Sequence, residues 1–180
     1  MNAAAEKALT SSAFELFGLQ PAFALDSEVL ESSYRQIQSR VHPDRFARSG
    51  DAERRASLQW TTRVNEAYRT LKDPVQRARH LLELQGVDVA FETNTAMPVD
   101  FLSAQLEHRE SLESAVERKD AGLLDGLRKA LVSEKRFLEK KIEELLDSKK
   151  DYPGAKELVR KLMFLQRLDE EVDAAYEEIE

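Results

Sequence analysis

The sequence predicts an all-α protein built from two helical modules, and three observations support this. Apolar residues recur at the 3.6-residue period of a helix through most of the 180-residue chain. Only six glycines and five prolines interrupt that pattern, which is typical of a helix-rich protein. Residues 1–82 hold 12 of the 27 Lys and Arg and 10 of the 34 Asp and Glu, so they carry +2 and the rest of the chain −9. Such asymmetry indicates two modules with different partners.

The first module contains a well-marked helix with a clear beginning and end. Asp26 is the expected N-cap, since Leu25 before it and Leu30 four positions after it have the spacing of a hydrophobic staple. Pro43 cannot be accommodated inside a helix, so this helix must end near His42. One face of the helix is predicted to carry Leu30, Tyr34, Ile37 and Val41.

A second helix follows a polar loop and is predicted to pack against the first as an antiparallel hairpin. The helical period gives it one inner face, made of Leu58, Thr61, Val64, Asn65, Tyr68 and Leu71. Pro74 then opens a shorter helix, which Gly86 closes. The inner side of this shorter helix is predicted to carry Val75, Ala78, Leu81 and Leu82.

The connection between the modules is assigned to residues 86–97, which lack periodicity and mix Gly, Asp, Asn and Thr. We therefore predict a first domain over residues 12–85 and a second over residues 98–180. The second domain contains three amphipathic helices, with breaks expected at residues 120–122 and 151–154. The simplest packing for three such helices is a small antiparallel bundle.

The composition excludes several kinds of chemistry. Without cysteine, the chain forms no disulfide and offers neither a thiolate nucleophile nor a cysteine-ligated zinc or iron–sulfur site. No apolar run approaches the roughly 18 residues that span a bilayer, and the N-terminal segment lacks the features of a signal or transit peptide. The acidic second half disfavours nucleic acid as a ligand. We expect a cytoplasmic protein that binds neither membrane nor nucleic acid and carries no cofactor or metal.

Catalysis is not expected either. Trp60, His80 and His108 lack the accompanying carboxylate or second histidine of a metal site, so we interpret them as core or boundary residues. The best case for an enzyme would use His42 and Asp44 as an acid–base pair. No nucleophile elbow, phosphate-binding glycine loop or metal constellation accompanies that pair, so an enzyme is disfavoured.

The strongest functional signal is the tripeptide His42, Pro43 and Asp44, which lies where the first long helix must end. Proline biases the preceding residue out of the helical region, so the imidazole and the carboxylate are expected at a rigid loop tip. A rigid tip loses little entropy on docking. Four arginines surround it, Arg35 and Arg40 on the outward helix face and Arg45 and Arg48 in the loop beyond. Such a cluster attracts an acidic surface and raises the association rate.

This arrangement resembles a J-domain, and further motifs resemble the HscB family of J-domain co-chaperones. Phe14–Leu19 matches FxLFGL, and Val64–Leu82 matches INxAYxxLxxPxxRAxxLL except that valine replaces the first isoleucine. Phe101–Leu112 matches FLxxQLExRExL, so the similarity covers nearly the whole chain. His80 departs from the pattern, because an aromatic residue is common there.

The resemblance implies a co-chaperone and not an enzyme. Proteins of this family bring the iron–sulfur scaffold IscU to the DnaK-type chaperone HscA and stimulate its ATPase during iron–sulfur cluster transfer. Docking on HscA is then assigned to His42, Pro43 and Asp44 with Arg35, Arg40 and Arg45.

The first helix of the second module carries a candidate partner surface. Its predicted core stripe consists of Phe101, His108, Leu112 and Val116. Leu102 and Leu106 lie roughly 100 to 140° around the helix from Phe101, outside that stripe. The charged residues Arg109 and Glu110 share their side of the helix. A compact apolar spot with a charged rim is typical of a protein interface.

The family resemblance implies that this helix face binds IscU together with an aromatic residue on the last helix. The implied scaffold-binding residues are Leu102, Leu106, Glu107, Arg109, Glu110 and, from the motif RKLxFL, Phe164. Phe164 lies away from the predicted core stripe of the last helix, which predicts that it is exposed. That stripe contains Leu158, Leu162, Leu165, Val172 and Tyr176. Ser103 and Ser114 replace larger or acidic residues expected in some relatives.

Plainer interpretations stay open at this stage. His42 to Asp44 would then be a helix-stop turn, the arginines a solvated face, and Leu102 and Leu106 part of the bundle core. A general J-protein that delivers unfolded clients would lack the scaffold site on the second module. A helical dimerisation protein would need sustained heptads, which are missing. The specialised co-chaperone is the hypothesis that accounts for both modules.

Overall fold

The computed structural model describes residues 11–46, 50–89 and 97–179. These residues form helices joined by loops, without a strand, which confirms the all-α prediction. The chain forms two compact units, Met1–Leu81 and Leu82–Glu180. Residues 90–96 of the predicted connection lie outside the described residues, as does Arg48.

The first unit is built around a pair of long helices. Its elements are α1 (Ala13–Leu16), α2 (Ser27–Val41), a 3₁₀ turn (Pro43–Phe46), α3 (Asp51–Lys72) and α4 (Pro74–Leu84), whose end belongs to the second unit. The predicted cap of α2 is confirmed, because the Asp26 carboxylate accepts the backbone N–H groups of Glu28 (2.9 Å) and Val29 (3.2 Å). The predicted end of α2 before Pro43 is confirmed as well.

The predicted antiparallel hairpin is formed by α2 and α3. The ring of Tyr34 on α2 stacks on Tyr68 of α3, with centroids 4.1 Å apart. The Tyr34 hydroxyl donates to the side-chain oxygen of Asn65 (3.0 Å). Leu30 and Leu71, one on each helix, are buried. Aromatic stacking, a hydrogen bond and apolar burial therefore all hold the hairpin together.

The prediction that Leu58 lies on the inner face of α3 is wrong. Leu58 is 56% exposed, whereas its neighbour Ser57 is only 4% exposed. The Ser57 hydroxyl donates to the Val41 carbonyl (2.6 Å), and the Thr61 hydroxyl donates to the same oxygen (3.2 Å). The last carbonyls of a helix have no intrahelical partners. The side of α3 that carries Ser57 and Thr61 is therefore turned toward the end of α2, where these hydroxyls supply the missing donors. The spacing of apolar residues in the sequence does not predict this rotation of α3 about its own axis.

His80, predicted as a core or boundary residue, supports α1. Its ring lies nearly parallel to that of Phe14, with centroids 5.8 Å apart. Its Nε2 accepts the backbone N–H of Ala13 (3.2 Å), one of the groups that the first turn of a helix leaves without an intrahelical partner. The imidazole thus both stacks on Phe14 and accepts a hydrogen bond from the start of α1.

The second unit contains the predicted three-helix bundle. Its elements are α5 (Val99–Arg118), α6 (Ala121–Glu143), a π-helical turn (Glu144–Lys149) and α7 (Tyr152–Ile179), and each of the three helices packs on the other two. The breaks fall at the start of each predicted range, because Lys119 and Lys150 end their helices with left-handed φ angles of 50° and 56° and the next helices begin two residues later. The buried core includes Leu124, Leu131, Ile142, Val159, Leu162, Leu165 and Val172.

The predicted core stripes of the bundle need correction. The stripe assigned to α5 is only half-buried, and the buried residues of that helix are Gln105 and Ala115. His108 stays at the boundary because its Nε2 lies 2.8 Å from the Glu134 carboxylate of α6. On α7, Leu158 is half-buried and the adjacent Val159 is buried. The buried faces of α5 and α7 therefore differ from those that the apolar pattern predicts, and on α5 a polar contact with α6 accompanies the difference.

Candidate docking surfaces

The first surface is the tip formed by His42, Pro43 and Asp44, where α2 gives way to the 3₁₀ turn. His42 has a ψ of 130°, outside the helical region, as expected before proline. Its Nδ1 accepts the backbone N–H of Asp44 (3.3 Å) and lies 3.5 Å from the Asp44 carboxylate. The two side chains are 49% and 90% exposed. The tip is therefore accessible and is held by a local hydrogen bond.

The described arginines near the tip differ in what they contact. Arg45 donates to the Ser39 carbonyl (3.0 Å) and so ties the 3₁₀ turn to the last turn of α2. Arg35 forms an ion pair with Glu31, and its guanidinium lowers the pKa of the Glu31 carboxyl. Arg40 is exposed and has no ion-pair partner among the residues described. Of these three arginines, Arg40 is therefore the one most available to an acidic partner.

The second surface lies on α5. Leu102 and Leu106 are 45% and 59% exposed, as predicted. The charged residues beside them on α5 are exposed as well: Glu107, Arg109 and Glu110. The Arg109 guanidinium reaches across to α7, where its Nη2 lies 3.4 Å from the Glu171 carboxylate. An exposed pair of this kind contributes at most about 1 kcal/mol, so it orients the arginine more than it stabilises the bundle.

The prediction that Phe164 is exposed is wrong, since the residue is half-buried on α7. Its ring meets the Phe101 ring of α5 edge-on, with centroids 6.0 Å apart and planes at 71°. The Lys161 ammonium lies 5.6 Å from the centre of the Phe101 ring. Because Phe101 is itself only half-buried, the two rings shield each other at the contact between α5 and α7. The exposed part of Phe164 is therefore held in a fixed orientation.

Three residues near these surfaces were not identified from the sequence. Glu31 was missed, although its spacing of four residues from Arg35 on a helix is the known signal for such a pair. Phe137 and Leu123 on α6 are 61% and 41% exposed. The exposure of these two side chains depends on how α5 covers α6, and this cannot be predicted from the sequence around them.

Within the described ranges, no three or more His, Asp and Glu side chains are grouped in a way that could hold a metal ion. None of the helices described there combines the length and apolarity that crossing a membrane requires.

Comparison with known proteins extends over almost the whole chain. Residues 97–173 match the family model described as the HSCB C-terminal oligomerisation domain. A co-chaperone protein HscB homolog from Burkholderia thailandensis is 51% identical over 172 residues, which cover 96% of this chain and 98% of that protein.

Two solved structures share the fold. The chaperone HscB from Vibrio cholerae is 34% identical, with a TM-score of 0.82 over 94% of this chain and 100% of that chain. The human co-chaperone protein HscB is 26% identical, with a TM-score of 0.85 over 92% of this chain and 82% of that chain. The chain therefore belongs to the HscB family of J-domain co-chaperones.

Proposed function

We propose that this chain binds the iron–sulfur scaffold IscU and delivers it to the DnaK-type chaperone HscA in the cytoplasm, stimulating the HscA ATPase during iron–sulfur cluster transfer. The observation that carries the proposal is the presence of two exposed surfaces of different chemistry, one on each unit. The tip around His42 and Asp44 is polar and flanked by arginines. The surface around Leu102 and Leu106 is apolar with a charged rim.

Docking on HscA is assigned to the tip. Arg40, together with Arg45 and the partly neutralised Arg35, supplies electrostatic attraction to an acidic chaperone surface. The imidazole of His42 and the carboxylate of Asp44 then contact the ATPase from a backbone that is already ordered, so little entropy is lost on binding. ATP is hydrolysed by HscA, and this chain acts on that reaction only through contact.

Scaffold binding is assigned to the second unit. Leu102 and Leu106 provide the apolar centre, and Phe164 adds a preoriented aromatic edge. Central apolar and aromatic residues carry most of the binding energy in protein interfaces, while a charged rim sets orientation and excludes water. Glu107, Arg109 and Glu110 form that rim.

Both surfaces belong to one chain, so binding of IscU and docking on HscA are linked. Once IscU is held on the second unit, docking of the tip raises its effective concentration at the peptide-binding site of HscA. Stimulated hydrolysis then traps the scaffold in the chaperone. A general J-protein would show stimulation without this dependence on IscU.

The decisive experiment measures steady-state ATP hydrolysis by HscA with this protein and IscU, added singly and together. We expect stimulation by both that exceeds the combined effect of each alone. His42→Gln should abolish it, because a docking group is lost while helical content, followed by circular dichroism, is unchanged. Gln59→Ala, at an exposed position on α3 of the same unit, is the matched control and should behave as the wild type.

Two results would contradict the proposal. Full stimulation by the His42→Gln protein would remove the tip from the docking surface. Stimulation indifferent to IscU would assign the chain to general J-proteins.

A further inference from the structure

A groove runs between α5 and α6 of the second unit, beside the proposed scaffold surface. Its α6 side is an exposed row with successive spacings of three and four residues, namely Leu123, Gly126, Ala130, Ser133 and Phe137. This is the spacing with which one helix presents a continuous face to another. The row runs from Leu123 to Phe137, which lie about 21 Å apart along the helix. It has large apolar residues at its ends and small ones between them.

Two pockets lie along this row. The first, of about 640 Å³, is lined by Leu123, Gly126 and Ala130 of α6 and by Glu107 and Glu110 of α5, among others. The second, of about 420 Å³, is lined by Ser133 and Phe137 together with Phe101 of α5. The contact between His108 and Glu134 separates them, since His108 lines the first pocket and Glu134 the second. The groove thus consists of two pockets in line along most of α6, divided by this contact.

Gly126 is not explained by the fold. It lies in the interior of a 23-residue helix, where glycine is the weakest helix former except proline. Its φ is not positive, and a Cβ built at this position would meet no atom of the described residues within 4 Å. Neither backbone strain nor close packing in the described part of the chain requires glycine here. The open space above it suits the close approach of another chain.

The charges of the groove limit what can occupy it. Glu107 and Glu110 are exposed on its α5 wall and have no ion-pair partner in the described part of the chain. Arg118 lines the other end of the same pocket, and the second pocket is lined by both Glu134 and Lys161, so the unpaired acidic wall belongs to the first pocket. An occupant with an apolar face and basic residues near Glu107 and Glu110 would match both the shape and the charge.

We propose that this groove is a second part of the scaffold site and takes an amphipathic helix of IscU with a basic flank. The assignment rests on the proposed function, because Glu107 and Glu110 belong both to the groove wall and to the proposed scaffold surface. Leu123 and Phe137 are the anchors at its two ends, and Gly126 gives the partner backbone room between them.

The test fills the groove without damaging the bundle. Gly126→Leu replaces a poor helix former with a good one and places a side chain in the open space, so the thermal unfolding midpoint should be unchanged or raised. Its affinity for cluster-free IscU, measured by calorimetric titration, should fall by about tenfold or more. Gly126→Ala is the matched control, with a raised midpoint and unchanged affinity. Phe137→Ala, which removes an exposed anchor, should also weaken binding by about tenfold.

The outcomes separate this inference from the proposed function. If Leu102→Ala weakens IscU binding while Gly126→Leu and Phe137→Ala do not, the groove is not part of the site and the proposed function stands. If none of the three variants changes the affinity, both proposals fail. If Gly126→Leu instead abolishes a self-association seen by sedimentation and leaves IscU affinity unchanged, the occupant is a second copy of this chain and the inference is overturned.

Discussion

Replacing both hydroxyl residues that hold the end of α2 should destabilise the first unit by more than the two single changes combined. The Ser57 and Thr61 hydroxyls share one acceptor, the carbonyl of Val41. Ser57→Ala or Thr61→Val leaves this oxygen with its other donor, so each should cost about 0.5–1.5 kcal/mol of unfolding free energy. The double replacement leaves the oxygen without a donor in a part-buried site and adds a penalty of about 1–3 kcal/mol. The expected coupling is therefore about 1 kcal/mol or more.

The chain provides a local probe for this measurement. Trp60 is the single tryptophan, and it lies half-buried on α3 between the two replaced residues. Its fluorescence during urea denaturation reports unfolding of the first unit in the full chain. Strict additivity of the two free-energy changes would refute the shared acceptor. A double variant no less stable than Thr61→Val alone would show that the Ser57 bond contributes nothing.

The same change should reach the tip, because Val41 directly precedes His42. Under conditions where Trp60 fluorescence shows a folded first unit, the double variant should stimulate HscA less than the wild type does. The variant keeps the proposed docking residues His42 to Asp44, so the loss would come from a tip that must be ordered on binding. Wild-type stimulation would show that the tip does not depend on this attachment.

Three further predictions concern the two surfaces. Leu102→Ala combined with Leu106→Ala should weaken IscU binding by about tenfold or more in calorimetric titration, because both side chains are exposed at the apolar centre; unchanged affinity would remove them from the site. Glu31→Gln should release Arg35 and raise the association rate with HscA in stopped-flow experiments, more so at low salt; equal rates would show that Arg35 takes no part. Arg35 lowers the pKa of Glu31 below its ordinary value of 4.5, so the pair contributes stability above that value and loses it as pH falls through the lowered pKa. Wild type and Glu31→Gln should therefore differ in stability at neutral pH and converge in strong acid, and a constant difference in urea denaturation would contradict this.

Helix ends were predictable because their causes are local. Asp26 caps α2 through the two backbone N–H groups that follow it, and Pro43 stops the same helix whatever lies around it. The exposed tip follows from the same residues, since the conformation of His42 is set by the proline after it.

The rotation of each helix was less predictable, because distant residues set it. At the hairpin interface Ser57 is buried and Leu58 is exposed, because the Ser57 hydroxyl donates to the carbonyl of Val41, 16 positions earlier in the chain. On α5, charged and apolar residues lie on both sides of the helix, so periodicity could not show that Gln105 would be buried. The groove row on α6 escaped detection because glycine, alanine and serine occupy its middle positions, where an apolar pattern requires larger residues.

The two surfaces depend on different kinds of interaction, and this determines how each responds to mutation. The tip is held by bonds to the backbone, such as those that Arg45 and Ser57 make to the end of α2. Substitutions in the first unit outside these contacts and the arginine cluster, such as Gln59→Ala, should therefore leave docking intact while the hairpin stays folded. The proposed scaffold surface is held by side chains from two helices, through the contact of Phe101 with Phe164 and the ion pair of Arg109 with Glu171. Replacements on α7 that never touch the partner should thus change IscU affinity, because they shift groups that do.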